Sequence, residues 1–587
     1  MWHLKRGEFA EAETYFHRAI ERLTRRNANP ADGEAYYNLG LCLRHLDRDA
    51  EAYDALYKAC WNQAWQSAAH HALAELDCKK SDWLAALEHL NRSLRLNTDN
   101  LRARNLKAVV LRKLNCTAEA KELLRATLAL DPLDWWARFL LGEILPCDLQ
   151  TALDITHDFS RAGFVREAIE LLERANATLD DLPDQSWGAR PLVHYTLGWL
   201  HQKLGDTKSA LASFNAAAKL PPDYCFPARL EEILIFEAAM HANPGDAKAP
   251  YYLGNLLYDR RRHTEAIRLW GKSTRLDKSF SVVWRNLGIG YFNISKKPKL
   301  ARAAYDRALR ANPSDTRLMF ERDQLWKRLG ESPAKRLREL EKFPQLVSQR
   351  DDLTVEFCAL LNQTGRHVEA MQLLAKRNFQ PWEGGEGGPL GQHVRTQLAL
   401  GHEALNHQDY PCAVSHFEDA LAAPRNLGEA KHLLANQSDI HYWLGCGLDL
   451  LGEKSKAKQH WRAAANFKGD FQEMSVRAFS EMTYYSALAW EKLGQSAKAK
   501  KLFRDLLAYA QKLQKTQAKI DYFATSLPTM LLFDDDIQFR QETAALFLQA
   551  QAQLGLGRKP QAKKFLATVL QRDPNHALAA DLNKDLS

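Results

Sequence analysis

Two stretches of this 587-residue sequence hold residue types that could do chemistry. The first is a pair of carboxylates, Glu383 and Glu386, inside the glycine-rich run Asn378-Phe-Gln-Pro-Trp-Glu-Gly-Gly-Glu-Gly-Gly-Pro-Leu-Gly391. Glycosidases use two carboxyl groups about 5 to 10 Å apart, one as acid and one as nucleophile or base. That chemistry needs a rigid pair, and a glycine-rich segment is rigid only where something packs on it. The second stretch is His402-Glu403-Ala-Leu-Asn-His407. Zinc-protease helices set their histidines four apart; at five apart two side chains diverge by about 140° around a helix and do not share a metal. His70 and His71 are adjacent and point apart for the same reason. No G-x-x-x-x-G-K-[ST] occurs, and Gly384 to Gly391 do not spell G-x-G-x-x-G. The expectation is a chain with no catalytic residue, no metal and no cofactor.

Charge and cysteine usage narrow the classes further. The formal charge of +8 is a small difference between 80 basic and 72 acidic side chains, and no basic block exceeds Arg260-Arg261-Arg262. Such mixed charge reads as solvated helix faces, so nucleic acid is not an expected partner. Nine scattered cysteines that never form C-x-x-C point to free thiols in a reducing compartment. No run of about 18 apolar residues could span a membrane, and the first residues lack a signal-peptide core. A cytoplasmic location is expected.

The elements that must position any site are helices in pairs. From Gly33 the chain reads Tyr36, Leu39-Gly40, Leu43, Ala52, Leu56 and Ala59; the next unit supplies Leu73-Ala74, Trp83, Ala86 and Leu90, and a third Leu106, Ala120, Leu124 and Asp131-Pro132. Leu39 and Leu43 share one face of a first helix, and Ala52, Leu56 and Ala59 form the matching stripe of a second. Small residues at Gly40 and Ala52 let the pair approach closely. One such hairpin cannot bury its faces alone, so its neighbours must stack on it.

This order of residues resembles the tetratricopeptide repeat. Its clearest copies are Leu197-Gly198 with Ala210, Phe214 and Ala217; Leu253-Gly254 with Ala266 and Trp270; Leu287-Gly288 with Ala301, Tyr305 and Ala308; Leu400-Gly401 with Ala413, Phe417 and Ala420; and Leu444-Gly445 with Ala457, Trp461 and Ala464. The resemblance implies an all-α, right-handed α-α superhelical solenoid. The period divides the chain into N-terminal repeats over 1–131 that begin mid-repeat, irregular and degenerate repeats over 132–245, central repeats over 246–377, a Gly-rich Trp/Glu loop over 378–393 and C-terminal repeats over 394–587.

In that fold the first helix of each repeat lines the concave side, at positions two, five, nine and twelve of the unit. Those positions carry Tyr37, Arg44, His71, Tyr195, Trp199, Tyr251, Asn255, Tyr258, Arg285 and Phe292. Aromatic rings and Arg concentrate binding energy at interfaces, so a protein or peptide partner is expected there. Chaperone-binding members pair Lys and Asn at positions five and nine; Tyr251 with Asn255 lacks the Lys, which disfavours a C-terminal carboxylate as ligand. In the loop, either Phe379 and Trp382 plug back onto the stack, or Phe379, Trp382, Glu383 and Glu386 form a contact or active-site loop.

A narrower resemblance rests on Ala31-Asp-Gly-Glu-Ala-Tyr-Tyr-Asn-Leu-Gly, Leu101-Arg-Ala-Arg-Asn-Leu-Lys-Ala, Asp131-Pro-Leu-Asp-Trp-Trp-Ala-Arg and Pro381-Trp-Glu-Gly-Gly-Glu-Gly. These runs look like the C-terminal half of large bacterial proteins of unknown function that carry an N-terminal β-sandwich region similar to galactose-mutarotase-like folds. That resemblance implies a preceding segment absent here, a partner that is a β-sandwich domain of the same parent protein, and, as the alternative to a scaffold, an accessory role in carbohydrate binding with the 378–391 loop completing a sugar site.

Overall fold

The computed structural model describes residues 1–144, 146–180, 188–382, 384–472, 475–519 and 532–586. Among them the fold is all-α: helices follow one another as antiparallel pairs, and the strands are one short antiparallel ribbon, Asp470–Gln472 with Ser475–Arg477.

The hairpin Arg190–Lys203 and Thr207–Lys219 shows how the sequence builds a unit. Leu204 closes the first helix, Gly205 turns the chain at φ +79°, and the Asp206 carboxylate starts the second by accepting a hydrogen bond from the Ser209 N–H at 3.0 Å. In the pair Lys248–Asp259 and His263–Leu276 the same turn position is held by Arg261 at φ +60°, a conformation that costs a non-glycine residue about 1 kcal/mol.

Close approach is set by one recurrent contact. Gly40, Gly198, Gly254, Gly288, Gly401 and Gly445 of the first helices face Leu56, Phe214, Trp270, Tyr305, Phe417 and Trp461 of the second, so each large side chain seats in the gap left by a missing Cβ. All six large residues are 5% exposed or less. A Cβ on Gly254 would lie 2.5 Å from Trp270 Nε1. Gly254→Ala is therefore expected to cost about 1–3 kcal/mol through overpacking, more than the roughly 1 kcal/mol that alanine gains in helix propensity. A lower midpoint in a circular dichroism melt checks this, and adding Trp270→Leu should recover part of the loss.

The chain forms two compact units, Met1–Leu287 and Gly288–Ser587. In the first, the regular pairs give way after Leu130 to a seven-residue helix, Trp135–Leu141, which Gly142 ends in the left-handed conformation at φ +84°. The pair Leu149–Arg161 and Val165–Asp180 follows, and the single helix Glu231–Ala242 comes after the hairpin Arg190–Lys203 and Thr207–Lys219. The beginning and end of this unit meet: the Arg262 guanidinium donates to the Gly7 carbonyl at 3.2 Å, and Ile233 packs where a Gly7 Cβ would stand. The second unit closes in a similar way, with Arg336 donating to the Asn575 Oδ1 at 2.7 Å and Arg395 paired with Asp581 at 2.9 Å.

Candidate functional site

In the first unit, Arg44 and His71 belong to a buried ionic network. Arg44 pairs with Glu75 at 2.5 Å, and it also donates to the Arg161 carbonyl at 3.2 Å. Arg161 in turn binds Asp158 at 2.6 Å and Glu231 at 2.5 Å. Burial pushes the Glu231 carboxyl up, yet the Arg161 guanidinium beside it, helped by His157 and His45, holds it down at about 2. Asp158 goes the other way: burial outweighs Arg161 and Arg102 and raises it to about 6. Burial lowers His71, with Glu75 opposing. These side chains tie the helices Glu34–His45 and Gln63–Lys79 to Leu149–Arg161 and to Glu231, which the expected open groove did not include.

The remaining groove positions divide by exposure. Tyr195 is fully buried, its hydroxyl donating to Asp246 Oδ2 at 2.6 Å and its ring enclosed by Phe236 and Tyr252. The register put it on a groove; helix Glu231–Ala242, which interrupts the repeat period, brings Phe236 over it and makes it core. Tyr251 is likewise buried, against Phe280 at 4.9 Å. Asn255 is an internal connector, its Oδ1 accepting from Trp270 Nε1 and from Asn286 Nδ2 at 3.0 Å each. Half-buried positions are Tyr37, stacked on Trp65 at 4.9 Å; Trp199, beneath the Lys203 ammonium at 4.4 Å; Tyr258, beside His263 and Trp270; and Arg285. Phe292, also half-buried, meets the Phe533 ring edge-on at 5.2 Å.

The glycine-rich loop folds back on its own neighbours. Phe379 is buried and donates its N–H to the Asn426 carbonyl at 2.7 Å. The half-buried Trp382 ring covers Gly385, where a Cβ would overlap it. The loop ends earlier than the sequence suggests, because helix Gly388–Asn406 starts inside it: Pro389 suits the first turn, and the Glu429 carboxylate accepts from the Gly387 and Leu390 N–H groups at 2.6 and 2.9 Å. Glu386 is exposed and accepts from the Gly384 N–H at 2.9 Å, whereas Glu383 lies outside the described residues. His402 packs on Phe417 and Trp443, and among the described residues no group of His, Cys, Asp and Glu could hold a metal ion.

Sequence reasoning missed Asn293, Lys296 and the run Leu532-Phe533-Asp534, which come together in the second unit. Three successive aspartates after Leu-Phe were the one available signal, and nothing in the repeat period connects them to a hairpin some 240 residues earlier.

No helix among the described residues is long and apolar enough to cross a membrane. A curated protein of Caenorhabditis elegans, BBSome complex member bbs-4, is 23% identical over 136 residues, covering 21% of this chain and 29% of that protein. The chain thus spans less than a third of that relative's length. Among solved structures, the crystal structure of yeast Tom70 overlaps 73% of this chain and 96% of its own at 15% identity and a TM-score of 0.22. The APC/C hetero-tetramer Cut9-Hcn1 overlaps 100% and 94% at 14% identity and a TM-score of 0.21. Family models described as tetratricopeptide repeat match residues 3–69, 192–224, 234–278 and 544–576. Those stretches include the hairpins in which Gly40, Gly198 and Gly254 seat their large partners, and the chain carries tetratricopeptide repeats.

Proposed function

We propose that this chain is a non-catalytic scaffold that holds polypeptide against the first helices of its hairpins. The reading is supported above all by a segment of the chain itself. Leu532-Phe533-Asp534 lies in non-helical form against the end of helix Ser281–Asn293, gripped through its backbone by a single side chain, Asn293. Binding another protein is a matter of the same physics: an aromatic ring for area and an amide for backbone groups.

In the first unit the half-buried Trp199, Tyr258 and Arg285 are the positions best placed to contribute to a partner surface, whereas Tyr195 and Tyr251 are not. A Trp199→Ala, Tyr258→Ala, Arg285→Ala variant is expected to keep its helical circular dichroism and to lose interacting proteins that the wild-type chain retains in a pull-down. Retention of the same proteins by the folded variant would count against this surface.

A further inference from the structure

The segment Leu532–Asp534 is held by contacts that separate into a general part and a selective part. The general part is Asn293. Its Nδ2 donates to the Leu532 carbonyl at 3.0 Å, and its Oδ1 accepts from the Asp534 N–H at 2.9 Å. One amide therefore satisfies the main-chain groups on both sides of Phe533, whatever the side chain between them.

The selective part is a ring and a charge. Phe533 is 1% exposed, edge-on to Phe292 at 5.2 Å and to Tyr305 at 5.7 Å, with the Arg328 guanidinium 5.9 Å from its centroid. The Lys296 ammonium meets Asp534 Oδ2 at 2.6 Å. Leu532 is half-buried and Asp534 exposed, so the segment enters the hairpin by one ring while its flanks stay near the surface. Asp536 is already used as the cap of helix Ile537–Gly555, accepting from the Phe539 N–H, and Asp535 pairs with Arg540.

We propose that this is a peptide-recognition site for an aromatic residue followed by aspartate, filled in cis by Phe533-Asp534 and open to a partner polypeptide bearing the same pair. The proposal rests on the scaffold reading above and gives it a ligand chemistry. Two features favour such a partner: the basic groups Lys296 and Arg328 suit an acidic peptide, and the amide of Asn293 grips any backbone that presents itself in this form. The tethered segment competes at high effective concentration, which keeps the site closed to weak ligands.

The test uses the full chain and a fluorescein-labelled peptide, Leu-Leu-Phe-Asp-Asp-Asp, read by fluorescence anisotropy. A Phe533→Ala, Asp534→Ala variant is expected to bind the peptide at least about tenfold tighter than wild type, because the cis competitor keeps its backbone bonds to Asn293 but loses its ring and its charge. Adding Asn293→Ala to that variant is expected to abolish the gain, and a peptide with alanine for phenylalanine should not bind. Three results would overturn the proposal: no binding by a variant whose circular dichroism is native, equal binding by wild type and variant, or binding indifferent to Asn293. A wild-type dimer in light scattering that disappears in the Phe533→Ala, Asp534→Ala variant would also overturn it, in favour of exchange between two copies. A failed peptide test leaves the Trp199, Tyr258 and Arg285 pull-down standing, because those residues lie in the other unit.

Discussion

Arg336→Ala is expected to destabilise the second unit by about 3–5 kcal/mol, the usual cost of stripping one partner from a buried ion cluster. Arg336 is 1% exposed, and all its guanidinium nitrogens are engaged. It forks onto Asp323 at 3.0 and 2.5 Å, reaches Glu356 at 2.6 Å and donates to Asn575 at 2.7 Å. Without it, Asp323 is left in the interior without the guanidinium that favours its charged form, and Glu356 keeps only Lys327 at 3.0 Å. Burial raises the Glu356 carboxyl, but Lys327 and Arg336 together hold it at about 2, whereas at Asp323 burial outweighs Arg336 and raises the carboxyl. Arg336→Lys should recover only part of the loss, since an ammonium cannot supply the planar fork that spans Asp323 and Glu356. Calorimetric melts of the full chain would show the effect as a lowered transition. A midpoint for Arg336→Ala that equals wild type would mean the cluster is not formed as described.

Arg336 also shows where reading a sequence reaches its limit. The hairpins were legible because their determinants are local: Leu197-Gly198 and Phe214 recur with fixed spacing, and a missing Cβ predicts a large neighbour on the next helix. The bonds from Arg336 to Asn575 and from Arg262 to Gly7 join residues 239 and 255 positions apart, and no period carries that information. The same blindness explains the candidate surface. Register placed Tyr195 and Trp199 on one stripe, but whether the stripe stays open depends on what the irregular helix Glu231–Ala242 covers. Phe292 was found by position, whereas its occupant Phe533 was not, because a short non-helical segment leaves no periodic trace. In the loop the glycines pointed to a turn, and they did not reveal that Glu429 would start a helix at Gly388.

Replacing His70 by asparagine is expected to flatten the acid limb of the first unit's stability. His70 is buried, with its Nδ1 2.8 Å from His89 Nδ1 and 3.6 Å from Cys60 Sγ. Only one proton fits between the two imidazoles, and a second would set two N–H donors against each other and put a cation in the interior. Burial, and then the neighbouring His89, bring His70 down to about 4. An unfolded chain takes up this proton near pH 6.5, so below that value unfolding binds a proton that the fold refuses. The contribution of His70 is therefore fully present above about pH 6.5, falls by about 1.4 kcal/mol per pH unit and levels off near pH 4. By pH 5 the loss is about 2 kcal/mol from this one ring. Asp77 nearby has the opposite sign, since burial raises it to about 6 and it takes its proton earlier in the fold than in the unfolded chain. For that reason the measurement is a difference: denaturant midpoints of wild type and His70→Asn between pH 7.5 and 5, in which the Asp77 contribution cancels. The variant starts less stable, because His89 loses the imidazole at its Nδ1 and keeps only the Tyr53 hydroxyl at its Nε2, and the gap should narrow or reverse as the pH falls. A gap that stays constant across this range would show that His70 is protonated in the fold, or exposed to water, at pH 5.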